Sequence, residues 1–246
     1  PDAFCEEGQL WGNPLYNYKI MKTDHYKWWT NRIKKATQLY DVIRIDHFRG
    51  FESYYAIPSG DKTAKNGKWE KGPGYSLFKA IKEEIPNIRI IAEDLGFLTK
   101  NVFQLLRKTG FPGMKVLEFA FDDDKDNMYL PHNYIKNCVV YTGTHDNMPL
   151  RAWFHSLTQE KKHLVREYIM LENDDKICDQ MIRVALGSVS DLVIIPIQDY
   201  LGFGIESRIN TPSTINGNWT YRIEKKYLSS ELALYIAFLT TLYKRY

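Results

Sequence analysis

The chain has 246 residues, 44% hydrophobic and 26% charged, which is the composition of a globular protein with a substantial core and not of a disordered segment. A formal charge of +3 arises from 33 basic and 30 acidic residues scattered along the chain, so no nucleic-acid footprint is implied. Short basic pairs such as Lys34 with Lys35 and Lys225 with Lys226 read as solvated faces.

Apolar spacing through Tyr26, Trp29, Ile33, Ala36 and Leu39 predicts a helix over 23–39, with Thr23 or Asp24 as its N-cap, leading into a strand over 42–46. After a loop rich in Gly and Lys, Leu77, Phe78, Ile81 and Ile85 share one face of a helix over 74–84 that Pro86 stops. A strand over 88–93, a helix over 99–108 with a Thr cap and a closing Gly110, and a strand over 114–121 follow. Residues 139–142 form the next strand, then come two helical stretches, about 158–171 and about 174–186, with no strand between them. The last strand is expected over 192–197 and the last helix over 229–246. Five strands, all read as buried and separated by helices, argue for a parallel α/β architecture. The interval from Asp46 to Glu93 fits one β/α unit of roughly 30 residues plus an insertion, as in a (β/α)8 barrel. Five strands do not close such a barrel, so the chain is expected to lack its first strands and to begin inside a loop.

Cys5, Cys138 and Cys178 are odd in number and have no metal-like spacing; Cys138 opens an apolar run and should pack as a small hydrophobe. A reducing compartment suits them. No charged-then-apolar leader begins the chain, and the apolar stretch 232–243 is too short to span a bilayer, so a soluble, cytoplasmic protein is expected. Aromatic residues make up 14% of the chain, with 17 Tyr and 6 Trp, which suits either an amphipathic core or platforms that stack on sugar rings.

Three acidic residues close short apolar runs: Asp46 in VIRIDHFRG, Glu93 in IRIIAEDLG and Asp146 in CVVYTGTHDN. Strand C-termini are where catalytic groups of an α/β barrel collect, and a pair of carboxyls is the minimum equipment for glycoside chemistry. Arg44 and Asp46, two apart on a strand, point to one side, so the guanidinium can orient the carboxylate and keep it charged as a nucleophile requires. The same pair also suits a structural salt bridge. Glu93 and Asp94 should point opposite ways, the first toward the mouth as acid/base and the second free to cap the next turn; taken alone, AEDLG serves helix capping equally well. Gly143 permits a tight strand exit, after which His145 and Asp146 set a donor beside an acceptor for vicinal sugar hydroxyls. Zinc is the rival occupant of that pair, but no third ligand lies at metal-like spacing, so neither metal nor cofactor is expected.

The strings GQLWGNPLYN, YDVIRIDHFRGFESYYAIP, IIAEDLG, GTHDN and INTPSTINGNW, in this order, closely resemble the amylomaltase family of 4-α-glucanotransferases, named disproportionating enzyme in plants. The resemblance runs from Pro1 through Trp219 and into the last helix. It implies a (β/α)8 barrel of the α-amylase clan, present over 1–246 as roughly its last five strands, that transfers α-1,4-glucan segments with retention of configuration. It further implies Asp46 as nucleophile, Glu93 as general acid/base and Asp146 as the third carboxylate. Arg44, His47 and His145 match residues around the scissile glucose, Trp11, Asn13, Pro14 and Tyr16 match a segment near the site, and Asn210 with Pro212 matches a sugar-contacting loop.

Beyond these, Tyr54, Tyr55 and Trp69 are candidate stacking platforms for an acceptor, and NGKWEKGPG around Trp69 reads as a mobile flap or a surface loop. Met148, Pro149, Ser213 and Tyr221 depart from the family pattern without touching the three carboxylates. Family members are roughly twice this length, so the chain is expected to be a C-terminal part, either a fragment of a longer protein or one piece docked to the missing N-terminal half. The expected partner is a maltooligosaccharide, with no nucleic acid and no membrane. The alternatives are a glucan-binding or structural fragment without activity, and a hydrolase of the α-amylase type.

Overall fold

A computed structural model describes residues 8–96, 98–122 and 126–246. Cys5 therefore lies outside the described residues. The chain divides into two compact units, the first running to Gly113 and the second Met114–Tyr246.

In the first unit, α1 (Tyr18–Thr23) and α2 (Lys27–Ala36) precede β1 (Ile43–Ile45). The helix expected over 23–39 is thus shortened to α2, and α1, which was not expected, precedes it. His25 and Tyr26 both take left-handed backbone conformations, which no continuous helix tolerates, and Asp24 accepts the Lys27 amide at 3.2 Å across the break. Tyr26 is buried there, its hydroxyl 2.7 Å from Ser76 Oγ, so a tertiary anchor overrides the helical spacing. After a 3-10 turn at Phe48–Phe51, β2 (Ser53–Ala56) and β3 (Lys68–Lys71) pair antiparallel. The segment around Trp69, read as a mobile flap or a surface loop, carries one strand of this hairpin.

α3 (Tyr75–Glu84) buries Leu77, Phe78 and Ile81 and ends ahead of Pro86. β4 (Ile90–Ala92) pairs parallel with β1, and Ala92 lies opposite Gly113, the first residue of β5 (Gly113–Val116). α4 (Lys100–Thr109) starts at Thr99, although that residue makes no side-chain cap bond, and stops at Gly110 in the left-handed region at φ +70°. The core of this unit is aromatic: Phe48 stacks on Phe78 at 5.3 Å, and Phe51 and Phe111 meet Phe78 edge-on.

In the second unit the strand order is β5, then β6 (Cys138–Tyr141), then β7 (Leu192–Ile194), with β6 and β7 parallel. The strand expected over 114–121 is shorter because the chain turns into a 3-10 helix at Leu117–Phe119. α5 (Leu150–Ser156), unanticipated, precedes α6 (Gln159–Ile169), which Thr158 caps through the Lys161 amide, and α7 (Ile177–Leu186). The short α8 (Ile197–Tyr200) takes over where the last strand was expected to continue, because Pro196 directs the chain into a new turn. α9 (Ser230–Leu242) begins at Ser229, whose hydroxyl accepts the Leu232 amide.

β4, β5 and β6 are fully buried. β7 is not: Leu192 and Ile194 are exposed, because β7 ends the strand order and, among the described residues, pairs only with β6. The expectation of five buried strands is corrected accordingly, and β1, which exposes Arg44, is likewise only partly covered. Cys138 and Cys178 are buried in the apolar core of this unit, Cys138 packing as expected. Among the described residues no helix is long and apolar enough to cross a membrane.

The hairpin depends on Gly72. A Cβ there would sit 2.3 Å from the Phe51 carbonyl oxygen and 2.8 Å from that of Gly50, both of them backbone atoms that cannot swing aside. Gly72→Ala is expected to lower the unfolding free energy by about 2 kcal/mol or more. Thermal or urea denaturation of the purified variant checks this; an unchanged midpoint would contradict it.

Candidate active site

The first unit carries two of the three carboxylates on neighbouring strand ends. Asp46 follows β1 and accepts an ion pair from Arg44 Nη2 at 3.0 Å, as their spacing predicts. The Asp46 side chain is 78% exposed, so this pair contributes little stability and serves to aim the carboxylate. His47 is left-handed at φ +47°, a sparsely populated conformation for a residue with a Cβ. That turn directs the His47 amide to Glu93 Oε2 at 2.6 Å and the next amide, Phe48, to the Glu93 carbonyl at 2.9 Å. Glu93 Oε1 accepts the Leu95 amide at 2.7 Å. Here one expectation is reversed: Glu93 itself caps the following turn, whereas Asp94 is buried, its carboxyl packed so closely on Gly113 that a Cβ there would lie 2.3 Å from Oδ2.

The other predicted residues of this unit fall into two groups. Trp11, Asn13 and Pro14 are exposed, and the Trp11 indole donates to Gln9 Oε1 at 3.1 Å. Tyr16 belongs to an aromatic group, with ring centroids 5.2 Å from Trp28 and 5.4 Å from Trp29. On the hairpin, Tyr54 donates to Glu70 at 3.2 Å, and Tyr55 meets Trp69 edge-on at 5.3 Å. The Arg49 guanidinium lies 4.2 Å from the Trp69 ring centroid, which ties the hairpin to the turn that follows Asp46.

The second unit carries Asp146 on the loop between β6 and α5. Asn210 Nδ2 donates to Asp146 Oδ1 at 2.6 Å, and His145 Nε2 lies 3.3 Å from Oδ2. Asn210, predicted to contact sugar, thus first orients the carboxylate; Pro212 is exposed on the loop beyond it. The histidine is packed against Trp219 at 5.3 Å, and the Trp219 amide donates to the Ile209 carbonyl. Arg208 donates to the Asp146 carbonyl at 2.8 Å and to the Asn210 carbonyl at 2.9 Å, clamping two backbone segments with one guanidinium. Sequence reasoning missed Arg208 and the contact of Trp219 with His145. The string SRIN held a signal, since Arg208 and Asn210 are two apart and so can share a side in extended backbone.

Beneath this loop lie two buried carboxyls that sequence reasoning also missed. Burial pushes the Asp199 pKa up to about 6 against the lowering effect of bonds from Thr142 and Leu150. Burial, with the nearby Asp199 charge, holds the Glu118 carboxyl well above the usual range, despite a bond with Asn147 and the charge of Arg208. Gly143 packs closely over Glu118: a Cβ there would lie 2.9 Å from its Oε1, so the Glu118 carboxyl would have to shift. Among the described residues, no group of three or more His, Cys, Asp or Glu side chains is arranged to hold a metal ion.

Comparison with known proteins gives consistent results. A family model described as 4-alpha-glucanotransferase matches residues 1–228. The 4-alpha-glucanotransferase of Clostridium butyricum is 50% identical over 246 residues, covering 100% of this chain and 50% of that protein. The chloroplastic/amyloplastic enzyme of Arabidopsis thaliana is 51% identical over 223 residues, covering 91% and 39% respectively. Amylomaltase from Streptococcus agalactiae, solved in complex with acarbose, superposes with a TM-score of 0.94 at 40% identity over 99% of this chain and 49% of that one. The chain therefore has the α/β fold of part of an amylomaltase, and it spans about half the length, or less, of the curated relatives it matches.

The buried acids make stability depend on pH. A carboxyl with a raised native pKa binds its proton more tightly when folded, so the contribution of Asp199 is complete below about 3.8 and lost as pH rises through about 6. Glu118 acts in the same direction. Asp199→Asn is expected to flatten the fall in melting temperature across that interval, and an unchanged slope in a series of thermal melts would refute this.

Proposed function

The chain belongs to the 4-alpha-glucanotransferase family, and from that premise we propose that it is the C-terminal half of a retaining enzyme that moves α-1,4-glucan segments between maltooligosaccharides. The observation that carries this reading is the pair of carboxylates on neighbouring strand ends, Asp46 aimed by Arg44 and Glu93 held by two backbone amides. Asp46 attacks C1 of a glucosyl unit while Glu93 protonates the departing glycosidic oxygen, and the bond to the leaving chain breaks as a β-linked glucosyl ester forms on Asp46. Each carboxyl oxygen has more than one acceptor site, so Glu93 can keep its amide bonds while its proton is passed on. In the second half-reaction Glu93 takes the proton from the 4-hydroxyl of an acceptor sugar, which attacks C1 and releases Asp46. Retention requires the two carboxyls about 5 to 5.5 Å apart.

We assign Asp146 as the third carboxylate, stabilising positive charge that develops at C1, with His145 and Asn210 around it. Arg44, His47 and the aromatic residues Trp11 and Tyr16 are assigned to sugar subsites, where a stacked acceptor gains energy that water cannot. The remaining half of the barrel is the expected partner of this chain and supplies the rest of the glucan groove. Because the chain covers about half of its relatives, a segment that binds glucan but turns over only beside that other half is the second reading. The cytoplasm, where buried thiols such as Cys138 and Cys178 stay reduced, is the compartment we assign.

Maltotriose supplied to the chain together with its missing half should give glucose and a ladder of longer oligosaccharides on thin-layer separation; glucose and maltose without a ladder would indicate hydrolysis instead. Asp46→Asn should lower turnover by a factor of about 1,000 or more with the fold intact, since an amide cannot form the ester. Glu93→Gln should hurt donors with poor leaving groups most, and an equal loss for all leaving groups would contradict acid catalysis.

A further inference from the structure

The loop that carries His145 and Asp146 is tied at both stems to a single side chain. Asp199, on α8, is 2% exposed. Its Oδ2 accepts the Thr142 hydroxyl at 2.5 Å and its Oδ1 accepts the Leu150 amide at 2.9 Å. Thr142 is the residue after β6 and Leu150 the first of α5, so one buried carboxyl bridges the entry and the exit of the loop. The preceding residue, Gln198, is also buried and donates to the Ser207 carbonyl at 3.2 Å, next to the Arg208 that clamps the Asp146 backbone. Two consecutive side chains of α8 therefore hold the two segments that fix Asp146.

Inside the loop the bonds continue toward the same residue. Asn147 Oδ1 accepts the Thr144 amide at 2.9 Å and hydroxyl at 2.7 Å, and Thr144 Oγ1 accepts the Asp146 amide at 3.3 Å. Filling the core does not explain Asp199, because an apolar side chain of similar volume would do so without the desolvation cost of a carboxyl. What an apolar residue cannot provide is two directional bonds that end on the two stems.

We propose that Asp199 is a positioning residue for glucan transfer, holding the loop through Thr142 and Leu150 so that the Asp146 carboxylate stands where positive charge develops at the reacting carbon. This role rests on the assignment of Asp146 as the third carboxylate, and the test separates the two. In the whole enzyme that contains this segment, Thr142→Val keeps the volume and removes the hydroxyl. It should lower kcat about 10-fold with KM changed less than about 2-fold, while Thr142→Ser restores the rate. Asp199→Leu, which removes both acceptors, should follow Thr142→Val. With an activated glycosyl fluoride donor, which keeps residual turnover measurable, Thr142→Val should add no further loss in an Asp146→Asn background. Amides of residues 143–148 should exchange hydrogen faster in Thr142→Val, with those of α7 unchanged.

Wild-type kcat in Thr142→Val beside an inactive Asp146→Asn overturns the positioning role and leaves the assignment of Asp146 standing. Losses that multiply in the double variant, or loop exchange that stays at the wild-type rate, also overturn it. Full activity of Asp146→Asn removes the assignment of Asp146 and the positioning role together.

Discussion

Two successive backbone amides, those of His47 and Phe48, point at one glutamate, and the arrangement of the first unit depends on that contact. A strand ends when its amides lose their ladder partners, and past that point the chain is free to wander. Here the ladder is prolonged by other means: the Glu93 amide bonds the Ile45 carbonyl, Phe48 bonds the Glu93 carbonyl, and His47 bonds the Glu93 side chain. Two consecutive N–H groups reach the same neighbour only if the backbone leaves its extended path, which is why His47 is left-handed at a cost of about 1 to 3 kcal/mol. The turn that follows Asp46 is thereby tied to the strand end that bears Glu93.

The second unit reaches the same end with different parts. Asp146 is braced by side chains, with Asn210 and His145 on its oxygens and Arg208 on its backbone, and the loop beneath it is anchored by buried acids. Charge placement follows exposure in both units. The carboxylates assigned to chemistry are open to solvent at least in part, whereas Asp94, Glu118 and Asp199 are buried. The exposed acids are available to a substrate, and the buried ones can act only on their protein neighbours.

How much of this was readable beforehand varies with the range of the forces involved. The strand ends bearing Asp46, Glu93 and Asp146 were legible because apolar runs, and the acids that close them, are local signals. Gly110 and Pro86 marked helix ends for equally local reasons. The break at His25 and Tyr26 was not legible, since it depends on the reach of Tyr26 to Ser76, fifty residues away. The β2 and β3 pairing was hidden by charged and glycine residues that suit a loop, until the fit of Gly72 against the Phe51 carbonyl is known. Asp199 and Glu118 sit in segments whose apolar neighbours suggest plain core, and only tertiary structure shows what their carboxyls touch.

The uncovered edge of the second unit has a practical side. Leu192 and Ile194 on β7, and Leu234, Phe238 and Leu242 on α9, leave oily surface near a strand that ends the sheet order among the described residues, the combination that invites chains of the same kind to stick together. Concentrating the isolated polypeptide should therefore favour clumping over crystals. A handling protocol that adds charge near this edge, or keeps samples dilute, would extend its useful life on the bench.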